Sequence, residues 1–183
     1  HFDQALTDYK QLKAKATTTE RRQLAATGML RSAAMMQDDV ETIAAATDML
    51  AEAKLTPELR NEALYFRAKA YLNQQADKKA MNDLQALSKD TRTLYGAEAK
   101  YLVALKLYKA HKYASAEKEI LNFIEQSTPH AYWLARSFIL LSDVYVAMDK
   151  KLDARQYLLS LQQNYHADDD IEQMINERLE KLK

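Results

Sequence analysis

A compact residue recurs along this chain at nearly constant spacing. Ala5, Ile43, Ala80, Ala116 and Ala154 stand 38, 37, 36 and 38 residues apart. Other positions keep step with the last three. Sixteen residues upstream lie Leu64, Lys100 and Phe138; twelve upstream lie the small Ala68, Ala104 and Ser142; nine upstream lie the large Tyr71, Leu107 and Tyr145. Four downstream stand Leu84, Ile120 and Leu158, and seven downstream Leu87, Phe123 and Leu161. Offsets of three, four and seven put residues on one face of a helix. Small residues let two helices approach closely, and the large ones fill the space beside them. The repeating unit is therefore a pair of antiparallel helices. Such a hairpin is too small to bury its own apolar face, so neighbours must stack on it.

Composition agrees. The chain holds two glycines, Gly28 and Gly96, and two prolines, Pro57 and Pro129, in 183 residues. No glycine-rich phosphate loop can be built from them, and a loop-rich β architecture lacks material. Apolar residues make up 48%, enough for a sizeable core. Lys plus Arg equals Asp plus Glu at 26 each. A nucleic-acid partner is not expected, because phosphate neutralisation calls for a basic excess or stripe. There is no cysteine, which excludes disulfides, thiolate nucleophiles and Cys-ligated zinc. No apolar run approaches the roughly 18 residues of a membrane span. The four histidines, His1, His111, His130 and His166, are scattered. His166 with Asp168, Asp169 and Asp170 is the one cluster that suggests a metal, but acidic residues opening a helix explain it better, since a hard-cation site needs more convergent oxygen ligands. We expect no catalytic residues, no cofactor and no metal.

Boundary signals divide the chain. Thr56-Pro57 and Thr128-Pro129 read as N-cap followed by the first helical residue. Thr17-x-x-Glu20 reads as a capping box. The expected organisation is a single array over 1–183. An unpaired helix at 2–16 comes first. Hairpins follow at 18–55, 57–90, 93–127 and 129–165, with a terminal amphipathic helix at 168–183: about ten helices, all-α. Residues 2–16 read as the second helix of a repeat whose first helix lies upstream. Phe2, Leu6, Tyr9 and Leu12 would then be an apolar side without a partner, prone to self-association.

The series Ala68-Tyr71-Ala80-Leu84-Leu87, Ala104-Leu107-Tyr113-Ala116-Ile120-Phe123 and Ser142-Tyr145-Ala154-Leu158-Leu161 resembles the tetratricopeptide repeat (TPR) family. The resemblance runs over about residues 2–165 and is strongest from 57 onward. It departs from the family where Leu64, Lys100 and Phe138 replace the usual Trp and where Ala or Ser replaces the usual Gly. The resemblance implies a right-handed solenoid that works as a protein–protein interaction scaffold. The stretch from GAEAKYLVA to LLSLQQNY is similar to the C-terminal repeats of long bacterial cell-envelope TPR proteins, which implies a fragment of a larger periplasmic or outer-membrane-associated protein. Two further functions fit such an array: a chaperone-like module of outer-membrane assembly, or a cytoplasmic peptide-sensing domain.

The resemblance also implies a concave groove. Its first-helix positions include Tyr65, Lys69, Tyr101, Leu105, Tyr108, Lys109, Ile139 and Asp143, with Ser32, Met35 and Met36 in the weaker early repeat. Tyr and Met combine apolar area with adaptability at binding surfaces. The tyrosines could equally fill contacts between repeats, and Met35 and Met36 read better as core. Tyr132 and Trp133 read as packing residues at a helix start. TPR domains that clamp a C-terminal carboxylate use Lys, Asn and Arg at positions matching Tyr65, Lys69, Leu102, Arg136 and Leu140. Only Arg136 has that chemistry, so such a clamp is not expected.

Overall fold

The computed structural model describes residues 1–183, which form ten α-helices and no strand. They are α1 (Phe2–Lys15), α2 (Thr19–Met35), α3 (Asp39–Leu50), α4 (Pro57–Asn73), α5 (Asp77–Leu87), α6 (Leu94–Lys109), α7 (Tyr113–Glu125), α8 (Ala131–Ala147), α9 (Lys151–Asn164) and α10 (Ile171–Lys181). The chain forms two compact units, His1–Leu87 and Ser88–Lys183. Within each unit, every helix packs on helices one or two places away along the chain.

In the first unit, Ala26, Leu30, Ala45, Ala46, Met49 and Ala63 make the core shared by α2, α3 and α4. Leu6 is the buried residue of α1. Gly28 of α2 has no Cβ, and the ring of Tyr9 lies where one would stand. Tyr9 of α1 therefore packs against α2, the helix that follows it, while Phe2 at the start of the same apolar side stays exposed. In the second unit, Ala104, Ala116, Ile120, Leu140, Leu141, Val144 and Ala154 form one core cluster. Ala135, Ile139, Leu158, Leu161, Ile171 and Ile175 form another, beneath α10. The aligned Ala80, Ala116 and Ala154 are all fully buried, as are Leu84 and Leu158.

The turns inside the hairpins carry a second periodic signal. Gln37, Gln75, His111 and Asp149 all have φ between 57° and 60°. Each sits just past the first helix of a pair and closes it with the same two bonds. After α2, the Asp38 amide donates to the Ala33 carbonyl and the Gln37 amide to the Ala34 carbonyl. Ala76 to Tyr71, Lys112 to Leu107 and Lys150 to Tyr145 repeat the longer bond. This is the Schellman closure, which usually holds glycine because a Cβ is disfavoured in the left-handed region. The turns also correct one alignment. Ala80, Ala116 and Ala154 lie five residues past their turn residue, and the residue five past Gln37 is Thr42, not Ile43. Thr42 is 3% exposed, and Ile43 is only half-buried.

Four non-glycine residues in this conformation leave stability unrealised. Replacing Gln37, Gln75 or Asp149 singly with glycine should stabilise the fold by about 0.5–1 kcal/mol, the left-handed penalty less glycine's extra chain entropy. His111→Gly should gain less, because its Nδ1 lies 2.7 Å from the Tyr113 hydroxyl. Urea midpoints of the four variants check this.

Helix starts follow the sequence signals with two shifts. Thr56 caps α4 with Pro57 as its first residue. Thr18, not Thr17, caps α2 by accepting from the Arg21 amide. Thr128 does not cap α8, which starts at Ala131 with His130 before it. Its hydroxyl instead donates to the Thr91 carbonyl at 2.7 Å, while Thr91 Oγ1 donates to Gln126 at 2.9 Å. These bonds tie the segment before α6 to the α7–α8 connection.

Candidate functional site

Each unit carries a shallow cleft walled partly by its first-of-pair helices. In the first unit the cleft holds about 200 Å³ between the end of α2, the start of α3 and α4. Tyr65, Phe66 and Lys69 form its α4 wall, and Gln37, Asp39 and Thr42 lie opposite. Lys69 Nζ stands 5.8 Å from the centre of the Tyr65 ring, a cation–π distance. Asn73 closes one end by donating to Asp39 at 3.0 Å. The same helix carries a bidentate pair on its inner side: Arg67 Nε and Nη2 donate to Asp83 of α5 at 2.8 and 2.7 Å.

Met35 and Met36, read from the sequence as core, are exposed at 62% and 39%. They end α2, where the chain turns and no helix covers them. Ser32, from the same early repeat, is buried.

In the second unit the expected groove residues take different roles. Tyr101 is only 7% exposed. Its ring stacks on Trp133 at 5.5 Å, and its hydroxyl accepts from Arg136 Nη2 at 3.1 Å. Arg136 lies between the rings of Tyr101 and Tyr132, 5.2 and 5.7 Å from their centres. Its Nη1 donates to the Tyr132 hydroxyl at 2.9 Å. The one cation that matches a carboxylate clamp is thus held by two tyrosines. Leu105 is a half-buried neighbour of the core cluster, and Lys109 is exposed. Ile139 is 1% exposed, since α10 lies over it in the cluster with Ile171 and Ile175.

Asp143 is held in place by α10. Arg178 donates to both of its carboxylate oxygens, from Nε and Nη2, at 2.8 Å each. Beside that pair lies the second cleft, about 420 Å³, between Tyr108, Val146, Lys151, Lys181 at the end of α10 and Leu182 just past it. Burial first, and the Asp143 charge second, push the Tyr108 phenol above its ordinary pKa, so it stays a neutral hydrogen-bond donor. Ser142 lies at the floor, 1% exposed, with no hydrogen-bond partner for its Oγ. Arg178, Lys151 and Lys181 are absent from the groove set expected from sequence. Arg178 and Lys181 reach the cleft because α10 folds back against α8, which no short-range pattern encodes, while Lys151 enters it from the start of α9.

A larger hollow of about 550 Å³ follows α9, lined by Gln162, Tyr165, His166, Asp168, Glu172 and Ile175. The acidic run there has a structural occupation. Tyr165 donates to Asp169 at 2.6 Å, and the other Asp169 oxygen accepts from the Ile171 amide at 3.0 Å. Burial, then the Asp169 bond, push the Tyr165 phenol from 10.0 up to about 12. A raised phenol pKa means that folding favours the protonated form. Its contribution is full below about pH 10 and is lost as pH rises through about 12. Tyr165→Phe should remove one late-titrating tyrosine from the alkaline absorbance titration. It should also flatten the stability decline in that window, as measured by denaturant melts across the pH series.

These features define a class: an all-α protein of stacked antiparallel hairpins, with clefts on its first-of-pair helices. Among solved structures, the chain is similar to a tetratricopeptide repeat protein from Parabacteroides merdae at 14% identity and a TM-score of 0.44, over 96% of this chain and 77% of that one. No family model and no curated protein matches it. No helix is long and apolar enough to cross a membrane.

Proposed function

We propose that this chain is a protein–protein interaction scaffold that binds an extended segment of its partner along the first-of-pair helices. One observation carries the reading. Each unit has a cleft on those helices, and residues expected to bind line both: Tyr65 and Lys69 in one, Tyr108 and Asp143 in the other. Half-buried tyrosines beside lysines suit peptide recognition, since they offer a rigid apolar area with a polar tip.

The sequence resemblance extends the proposal to a fragment of a larger bacterial protein, working in the periplasm or at the outer membrane. The alternatives within the same chemistry are a chaperone-like assembly module and a cytoplasmic peptide-sensing domain. The reading is one of binding; no catalytic residue and no cofactor is assigned. Self-association remains part of the proposal through exposed Phe2, Leu24 and Met35, which border a groove between α1 and α2.

The test is affinity capture from the native cell, with mass spectrometry, using wild type and the Tyr65→Ala and Tyr108→Ala variants in parallel. A partner retained by wild type and depleted at least tenfold by either variant, at unchanged helicity, supports the groove. A partner retained equally by all three moves the binding surface elsewhere.

A further inference from the structure

We infer that the cleft between α6, α8 and α10 recognises an acidic side chain of the bound segment, flanked by an aliphatic one. This deepens the groove reading and rests on it.

Charge is the first argument. Five ionic residues line the cleft: Lys151, Arg178 and Lys181 against Asp143 and Glu177. Arg178 and Asp143 neutralise each other through their bidentate pair. Glu177 is an exposed residue already accepting from Gln173 at 2.9 Å. Lys151 and Lys181 are exposed at the rim and enter no ion pair, although other lysines of the same unit do, such as Lys100 with Glu119 and Lys150 with Glu117. Two uncommitted ammonium groups from different helices thus face one opening. A carboxylate placed between them gains charge-assisted bonds; the Asp143 pair is neutralised, and the two lysines outweigh the one remaining negative charge of Glu177.

Size and lining are the second argument. About 420 Å³ is within the range of sites that bury a few side chains. Val146, 40% exposed, and Leu182 supply an apolar wall next to the charges. The Tyr108 phenol is a neutral donor at the same depth. At the floor, the Ser142 hydroxyl has no partner, an uncompensated polar group that the fold alone does not explain.

The probe is a fluorescein-labelled decapeptide with a central Leu-Glu-Glu-Leu, compared with the Leu-Gln-Gln-Leu and Leu-Lys-Lys-Leu versions. Binding is followed by anisotropy to the full chain at low salt. The expected result is at least tenfold tighter binding of the glutamate peptide than of the glutamine one, and weakening with salt. Lys151→Glu with Lys181→Glu should reverse the order, so that the lysine peptide binds best. Both substitutions are at exposed positions, so circular dichroism should show an unchanged fold. Equal binding of glutamate and glutamine peptides, or an order unchanged in the double variant, overturns the inference. The two readings fail separately. If Tyr108→Ala abolishes binding of all three peptides while the double variant leaves their order unchanged, the groove stands and its acidic preference falls. If Tyr108→Ala leaves all three affinities unchanged, the groove reading falls.

Discussion

Asp83→Ala is expected to destabilise the first unit by about 3 kcal/mol, the lower end of the cost of leaving a buried charge without its partner. Asp83 has a side chain only 6% exposed, and that of Arg67 is 19% exposed. The carboxylate accepts two guanidinium bonds, and Thr47 Oγ1 accepts a third from Arg67 Nη1 at 3.2 Å. The bonds it donates to Asp83 are the main reason the Arg67 guanidinium is held above its ordinary pKa. Removing the carboxylate leaves a largely buried cation between α4 and α5 with Thr47 as its one remaining side-chain partner. The pair as a whole contributes far less than its rupture costs. Arg67→Met with Asp83→Leu replaces both charges with apolar groups of similar volume and should fall within about 1 kcal/mol of wild type. A double-mutant cycle in urea separates the two. If the double variant is as unstable as Asp83→Ala, the pair itself stabilises the unit.

Gly96→Ala should cost the second unit about 2–3 kcal/mol, a typical overpacking penalty. Alanine is ordinarily the better helix former by about 1 kcal/mol. Here a Cβ would overlap the Asp90 carbonyl oxygen and lie 2.7 Å from that carbonyl's carbon and 2.8 Å from Thr93 Oγ1. Relief means moving backbone, and that backbone is the cap of α6. Thr93 Oγ1 accepts from the Gly96 amide at 3.0 Å and donates to the Asp90 carbonyl at 3.0 Å. Gly28→Ala is the informative comparison. Its Cβ would meet the ring of Tyr9, the far end of a side chain that can swing aside. Lost ring packing and gained helix propensity then nearly cancel. Thermal melts of the two variants should differ by several degrees. Equal melting temperatures would show that the segment before α6 yields as easily as a tyrosine.

The hairpin periodicity, the all-helical class and the number of helices were legible in the sequence, because burying one face of a hairpin against the next demands a fixed residue pattern. Ala80, Ala116 and Ala154 are buried where that pattern requires them. Turn geometry was not legible. The Schellman residues are Gln, Gln, His and Asp, so the glycine that normally marks such a turn is missing, and Ile43 was aligned where Thr42 belongs. The fate of Thr128 was hidden for a related reason: its hydroxyl serves Thr91, a residue 37 positions earlier. Of the cleft-lining residues, Tyr65, Lys69 and Tyr108 stand at groove positions that the family resemblance implies. Tyr101 stands at another but is buried by Trp133 and Arg136. Asp143 acquires its meaning from Arg178, contributed by a helix that reads as a simple cap.

Every helix in either unit touches only its first and second neighbours along the chain, so almost all native contacts close short loops. Chain closure of that kind costs little entropy. Topologies dominated by it fold on the microsecond-to-millisecond scale and need no long-range nucleus. Damage should travel no further than contact does. A cavity in α9 would loosen α8 and α10, the helices it packs on, before α6 of the same unit. A chain built this way can lose or gain a hairpin in evolution without renegotiating the rest of its architecture.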